Sequence, residues 1–188
     1  MKTKPKKGVL ILECLSESDP GSEGKFLSHL FSLMNVPHQY IEVHTRYQML
    51  ALLKKSPYKI IHITTHGSVN DEDKFLGFWT KDGTITKELL DPLNGKLDGH
   101  TIVSTACMSA DKTFREEFIS NTLCDFFIAP TGSPKFHNSV FFSHIFYQKH
   151  FILHKDVETI LTEYNEQYKN PHDFSLLSFD DFVEDIFD

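Results

Sequence analysis

Apolar and polar positions along the chain follow two periods in alternation. Short apolar runs rich in β-branched residues fall at 8–15, 39–43, 59–66, 100–107 and 124–129, each of strand length and bounded by turn residues. Between them the spacing turns helical. Phe26, Leu27, Leu30, Phe31 and Met34 share one helical face until Asn35-Val36-Pro37 ends it, because proline disfavours the α conformation in the residue before it. Thr45-Arg46-Tyr47-Gln48 has the form of a capping box, with Met49, Leu50, Leu52 and Leu53 behind it. Phe114, Phe118 and Ile119 mark an amphipathic helix over 111–123. Asn138 is expected to cap a long helix through Phe141, Phe142, Ile145 and Phe146, and Val157, Ile160, Leu161 and Tyr164 mark another.

Continuous apolar runs suit central strands of a parallel sheet covered on both faces. Strands alternating with helices predict a single α/β domain over 1–188. Its core is a doubly wound, mostly parallel sheet with helices on both faces, in strand order 2-1-3-4-5. A β-hairpin over 75–86 is predicted as an insertion between the third and fourth strands, with Asp82-Gly83 supplying the positive φ angles of its turn. Residues 67–74 read as a polar loop and 87–93 as a short helix. Residues 1–7 read as a disordered basic tail. The stretch 174–188 alternates aromatics with acids and reads as a terminal helix, whose Phe179, Phe182, Ile186 and Phe187 pack on the domain or dock a partner.

Composition narrows the function classes. The 40% apolar and 24% charged content is ordinary for a soluble globular chain. A formal net charge of −7 argues against a direct nucleic-acid surface. No apolar run reaches the roughly 18 residues of a membrane span. Three cysteines without close spacing suggest neither a disulfide framework nor a zinc knuckle, so free thiols and a cytoplasmic location are expected. His150 and His154 have the i, i+4 spacing of helical zinc ligands but lack a third ligand, and read as a surface pair. No metal or cofactor is expected.

The candidate chemistry sits where two apolar runs stop. Lys59 to Thr65 runs into His66-Gly67, and His100 to Thr105 runs into Ala106-Cys107. As parallel neighbours, these strands would bring His66 and Cys107 out together at their carboxyl ends, the edge where open α/β sheets bind ligands. A free thiol with a pKa of about 8.5 needs a nearby base to act as a nucleophile at neutral pH. His66 is that base.

At these residues the chain resembles the caspase-like cysteine peptidases, and within them the CHAT branch (caspase HetF associated with TPRs). His66-Gly67-Ser68 precedes the hairpin. Asp82-Gly83-Thr84-Ile85-Thr86 resembles the family's turn before its next helix, and Val103-Ser104-Thr105-Ala106-Cys107-Met108-Ser109 resembles its cysteine strand end. Ile128-Ala129-Pro130 and the helix from Phe141 to Tyr147 resemble its downstream strand and helix, so the likeness spans roughly 59–150. Thr105 and Ser109 stand where a true caspase has Gln and Gly, which sets aside caspase specificity.

The resemblance implies a Cys-His endopeptidase acting on protein substrates, with Gly67 and Cys107 N–H groups as oxyanion donors. It also implies control by a separate regulatory or sensor protein and a role in antiviral defence or cell death. Glu13 and Asp19, after the first strand, are candidates for an acidic pocket selecting Arg or Lys, with Thr105 at its floor; solvated loop carboxylates are the competing reading of the two acids. A catalytically silent protein-binding module and a non-peptidase Cys hydrolase or acyltransferase remain open alternatives.

Overall fold

The five apolar runs become strands of one sheet, with the run at 39–43 at its edge. The computed structural model describes residues 4–168 and 173–187. In chain order it contains β1 (Lys6–Cys14), α1 (Glu23–Leu33), β2 (His38–Glu42), α2 (Arg46–Lys54) and β3 (Tyr58–Thr65). An insertion follows, made of β4 (Gly67–Val69), β5 (Phe75–Thr80) and β6 (Gly83–Thr86). The chain then returns through β7 (Thr101–Ser104), α3 (Lys112–Thr122), β8 (Phe126–Pro130), α4 (Phe136–Phe151) and α5 (Val157–Gln167). It ends in β9 (Phe174–Ser178) and α6 (Phe179–Phe187).

The main sheet has the order β2-β1-β3-β7-β8-β9. The first five strands are parallel, in the expected 2-1-3-4-5 arrangement, and β9 adds an antiparallel edge. Because successive side chains on a strand face opposite sides, β1 feeds two cores. Leu10 and Leu12 pack with Met49 and Leu53 of α2 and with Phe114 and Phe118 of α3. Val9 and Ile11 pack with Leu27 and Phe31 of α1, Phe142 and Phe146 of α4, and Ile160 of α5. Helices therefore cover both faces, and each fully buried Leu, Ile or Phe side chain stabilises the fold by roughly 2 kcal/mol.

Helix starts are set by side chains that satisfy orphan N–H groups. Ser22 accepts from Lys25 N–H, Thr45 from Gln48, Asp111 from Phe114 and Asp156 from Thr159, each worth about 1 kcal/mol. The long helix is the exception. It starts at Phe136, ahead of Asn138, and its flanking residue Lys135 makes no side-chain capping bond.

Several expected elements differ in detail. Residues 67–69 are a strand, so the insertion is a three-stranded sheet, β4-β5-β6, and not a lone hairpin. Its tight turn is Lys81-Asp82: Gly83 already pairs with Thr80 and alone has a positive φ, 134°. The Asp82 carboxylate closes the turn by accepting from Thr80 Oγ1 and Arg46 N–H. The stretch 87–93 forms two 3-10 turns, Lys87–Leu89 and Asp91–Leu93, because Pro92 opposes a continuous α-helix. Residues 174–178 are the edge strand β9, and the terminal helix begins only at Phe179, whose ring packs against the core with Phe182. At the other end β1 already includes Lys6 and Lys7, inside the expected tail. Residues 1–3, Asp188 and the side chains of Ile186 and Phe187 lie outside what is described.

Candidate active site

β3 and β7 are hydrogen-bonded parallel neighbours, pairing Ile60 with Thr101 and Ile63 with Ser104. Thr105 N–H donates to Ile63 O at 3.0 Å and extends the ladder. His66 directly follows β3 and Cys107 lies three residues after β7, so both come after the carboxyl ends of adjacent parallel strands. The regular strand stops at Ser104, and Cys107 stands in the turn that follows rather than at the strand's last position.

That turn is built tightly. Ser104 Oγ accepts from Ala106 N–H and lies 2.8 Å from Ser109 Oγ, while Ser109 Oγ–H donates to Ala106 O. Met108 then adopts the left-handed conformation, φ 62°, with its N–H donating to Gly132 O. Such a residue costs energy that only a well-fixed turn sustains. Among the described residues Cys107 N–H donates to no other group, and the thiol is half-buried.

His66 bridges β3 and β4. Its carbonyl accepts from Trp79 N–H at 3.0 Å, the bond that brackets a non-hydrogen-bonded pair in an antiparallel ladder. That pair is Gly67 with Phe78, so Gly67 N–H points away from β5. Gly67 packs directly on the Cys107 backbone: a Cβ there would overlap the Cys107 carbonyl oxygen. Only glycine permits this approach.

The imidazole of His66 is 49% exposed and packs edge-on against Trp79. Its Nε2 lies 3.0 Å from Asp19 Oδ2, and that carboxylate, 11% exposed, also accepts from Ser16 N–H at 2.7 Å. An ionised carboxylate only accepts, so Nε2 carries the proton and Nδ1 is the basic nitrogen of the neutral ring. Asp19 thus touches the candidate base rather than standing alone as a pocket acid or a solvated loop carboxylate.

The other two proposed pocket residues are used internally. Glu13 is 2% exposed on β1 and accepts from Ser22 Oγ, Gly24 N–H and Tyr40 OH. It anchors the start of α1 and has no free face for a substrate. Thr105 is buried, and its hydroxyl donates to Glu23.

Glu23 was not singled out by the sequence pattern, yet it organises the floor of the site. It also accepts from Thr64 and Ser143, and its Oε1 lies 3.3 Å from His62 Nε2, close enough to pair but outside hydrogen-bond alignment. His62 Nδ1 is 2.9 Å from Tyr147 OH. Burial pushes the Glu23 pKa up, but His62, Ser143 and Thr105 more than offset this and hold it below the ordinary value. Tyr147 is pushed up by burial and by Glu23, so it keeps its proton. The network ties α1 and α4 to Thr64 and Thr105, each two residues before a candidate catalytic side chain.

His150 and His154 do not share a helix face, since α4 ends at Phe151 and His154 has φ 54°. No group of three or more His, Cys, Asp or Glu side chains among the described residues is arranged to hold a metal ion. No helix among them is long and apolar enough to cross a membrane.

No family model and no curated protein matches the chain.

Proposed function

We propose that the protein is a caspase-like cysteine endopeptidase in which His66 and Cys107 form the catalytic dyad. The observation that carries this reading is that β3 and β7 are adjacent parallel strands and that Gly67, next to His66, packs on the Cys107 carbonyl. His66 Nδ1 takes the thiol proton, and the Cys107 sulfur attacks the scissile carbonyl carbon. Gly67 and Cys107 N–H groups hold the oxyanion. The C–N bond breaks as His66 returns the proton to the leaving amine, leaving a thioester. Water, deprotonated by His66, then cleaves the thioester and frees the thiol. The resemblance adds control by a separate regulatory protein and a place in defence or cell death, both part of the proposal.

Trapping with a peptide acyloxymethyl ketone, with adducts located by mass spectrometry, tests it. The expected result is an adduct on Cys107 that His66→Ala abolishes, and peptide cleavage that Cys107→Ala abolishes. Cleavage surviving in Cys107→Ala would overturn the dyad. A folded wild type that never labels would favour the binding module.

A further inference from the structure

The opposite edge of the sheet holds a second concentration of charge, independent of the proposed peptidase site. Where β1, β3 and β7 begin, a cleft of about 840 Å³ opens between the start of the chain, the end of α2 and the segment before β7. Lys4, Lys54, Lys55, Lys59 and Lys96 line it. They are exposed, and they gather at one cleft in a chain of formal charge −7. Lys54 and Lys55 belong at a helix C-terminus, where the dipole favours cations. Lys4, Lys59 and Lys96 come from three other segments and have no such reason to converge.

Two carboxylates share the lining, Asp98 and Asp125. Asp125 Oδ1 is engaged by Gly99 N–H at 3.0 Å. Five ammonium groups against two carboxylates leave the wall positive. His100 completes it at 6% exposure. Its Nδ1 lies 3.2 Å from the Asp98 backbone carbonyl, and its buried Nε2 has no hydrogen-bond partner among the described residues. A buried nitrogen left without a partner is uncommon and marks a place where one is missing.

The lining also limits the class of ligand. The volume is that of a small-molecule site. Among the described residues no Phe, Tyr or Trp lines it, so successive bases of a nucleic acid have no stacking platform there. We propose that this cleft binds a compact polyphosphorylated small molecule, the lysine ammonium groups pairing with its phosphates and His100 facing the innermost one.

Calorimetric titration of the full chain with inorganic tripolyphosphate tests this. Saturable single-site binding is expected, weakening as salt is raised. Lys59→Ala/Lys96→Ala should weaken it about tenfold or more, since each removes a charge-assisted bond to phosphate. Lys112→Ala/Lys135→Ala, at the opposite sheet edge, should leave it unchanged. Tripolyphosphate should also move the His100 side-chain nitrogen resonances, and ATP should bind no more tightly than tripolyphosphate.

Absence of saturable binding overturns the site. So does equal weakening in both double variants, which would mean unspecific charge attraction. Much tighter binding of ATP or of a single-stranded oligonucleotide would replace the phosphate class with a base-reading one. Lys54→Gln/Lys55→Gln provides a second cleft variant should the first not fold, and the same loss of affinity is expected of it.

Discussion

Asp19 Oδ2 lies 3.0 Å from His66 Nε2, joining the loop after β1 to the histidine at the end of β3. With the carboxylate accepting, this contact puts the ring proton on Nε2 and leaves Nδ1 as the nitrogen that the proposed dyad would use to take the thiol proton. Asp19→Asn can donate to Nε2 and favour the wrong tautomer. It is therefore expected to lower kcat by about 10- to 100-fold with KM little changed, less than for a fully buried triad aspartate because the ring is half exposed. Steady-state kinetics on a peptide substrate checks this. If Asp19 instead selected a basic substrate residue, KM would rise for Arg and Lys substrates alone and kcat would hold.

The three thiols should separate sharply in reactivity. Cys107 is only half-buried, whereas Cys14 and Cys124 are buried. Burial raises the pKa of both, that of Cys124 to about 12. Native protein treated with a disulfide reagent is expected to release one equivalent quickly and the other two only in denaturant, as followed by absorbance. A fast second thiol would show that the α3 side of the core opens readily.

Glu23 makes stability depend on acid. Its pKa is depressed in the folded state, so its contribution is complete above the ordinary value of 4.5 and is lost as pH falls through the lower, folded value. Glu23→Gln should cost about 3 kcal/mol at neutral pH, because the buried hydroxyls of Thr64, Thr105 and Ser143 that donate to its two carboxylate oxygens would face an amide with a single acceptor oxygen. In thermal melts the gap between wild type and variant should narrow as pH falls below the ordinary value of 4.5 and through the depressed, folded one.

Gly67→Ala forces a methyl group into the Cys107 carbonyl. A shift of the cysteine turn is expected, destabilising the protein by about 1–3 kcal/mol and reducing Cys107 labelling, as read by melting and adduct formation. Unchanged labelling would mean that the turn is not held by this contact.

Much of this arrangement was legible in the sequence, because the apolar runs are long and the crossovers obey simple rules. The order of the five parallel strands, and with it the pairing of β3 with β7, follows from the alternation of apolar runs with helical segments. What escaped was set by contacts distant in the chain. Glu23 reads as an ordinary acid in a first helical turn until Thr64, Thr105 and Ser143 converge on it. Glu13 looks like a loop carboxylate until Tyr40 and Gly24 close over it. β9 was hidden because five residues of mixed apolar and polar character fit either period, and pairing with β8 decides the matter. Asp19 was singled out as a pocket acid, and its contact with His66 is the feature that the sequence did not show.

The antiparallel strand β9 also orders events during synthesis. β8, with the sequence Phe126-Phe127-Ile128-Ala129-Pro130, has β7 on one side and waits for β9 on the other. Until 174–178 have left the ribosome, that aromatic edge offers unpaired backbone groups to any passing strand. A product cut short before Phe174 would keep this adhesive border, whereas a longer one seals it and ties it down through Arg115 and Ser175. The last strand thus works as a closing latch against aggregation.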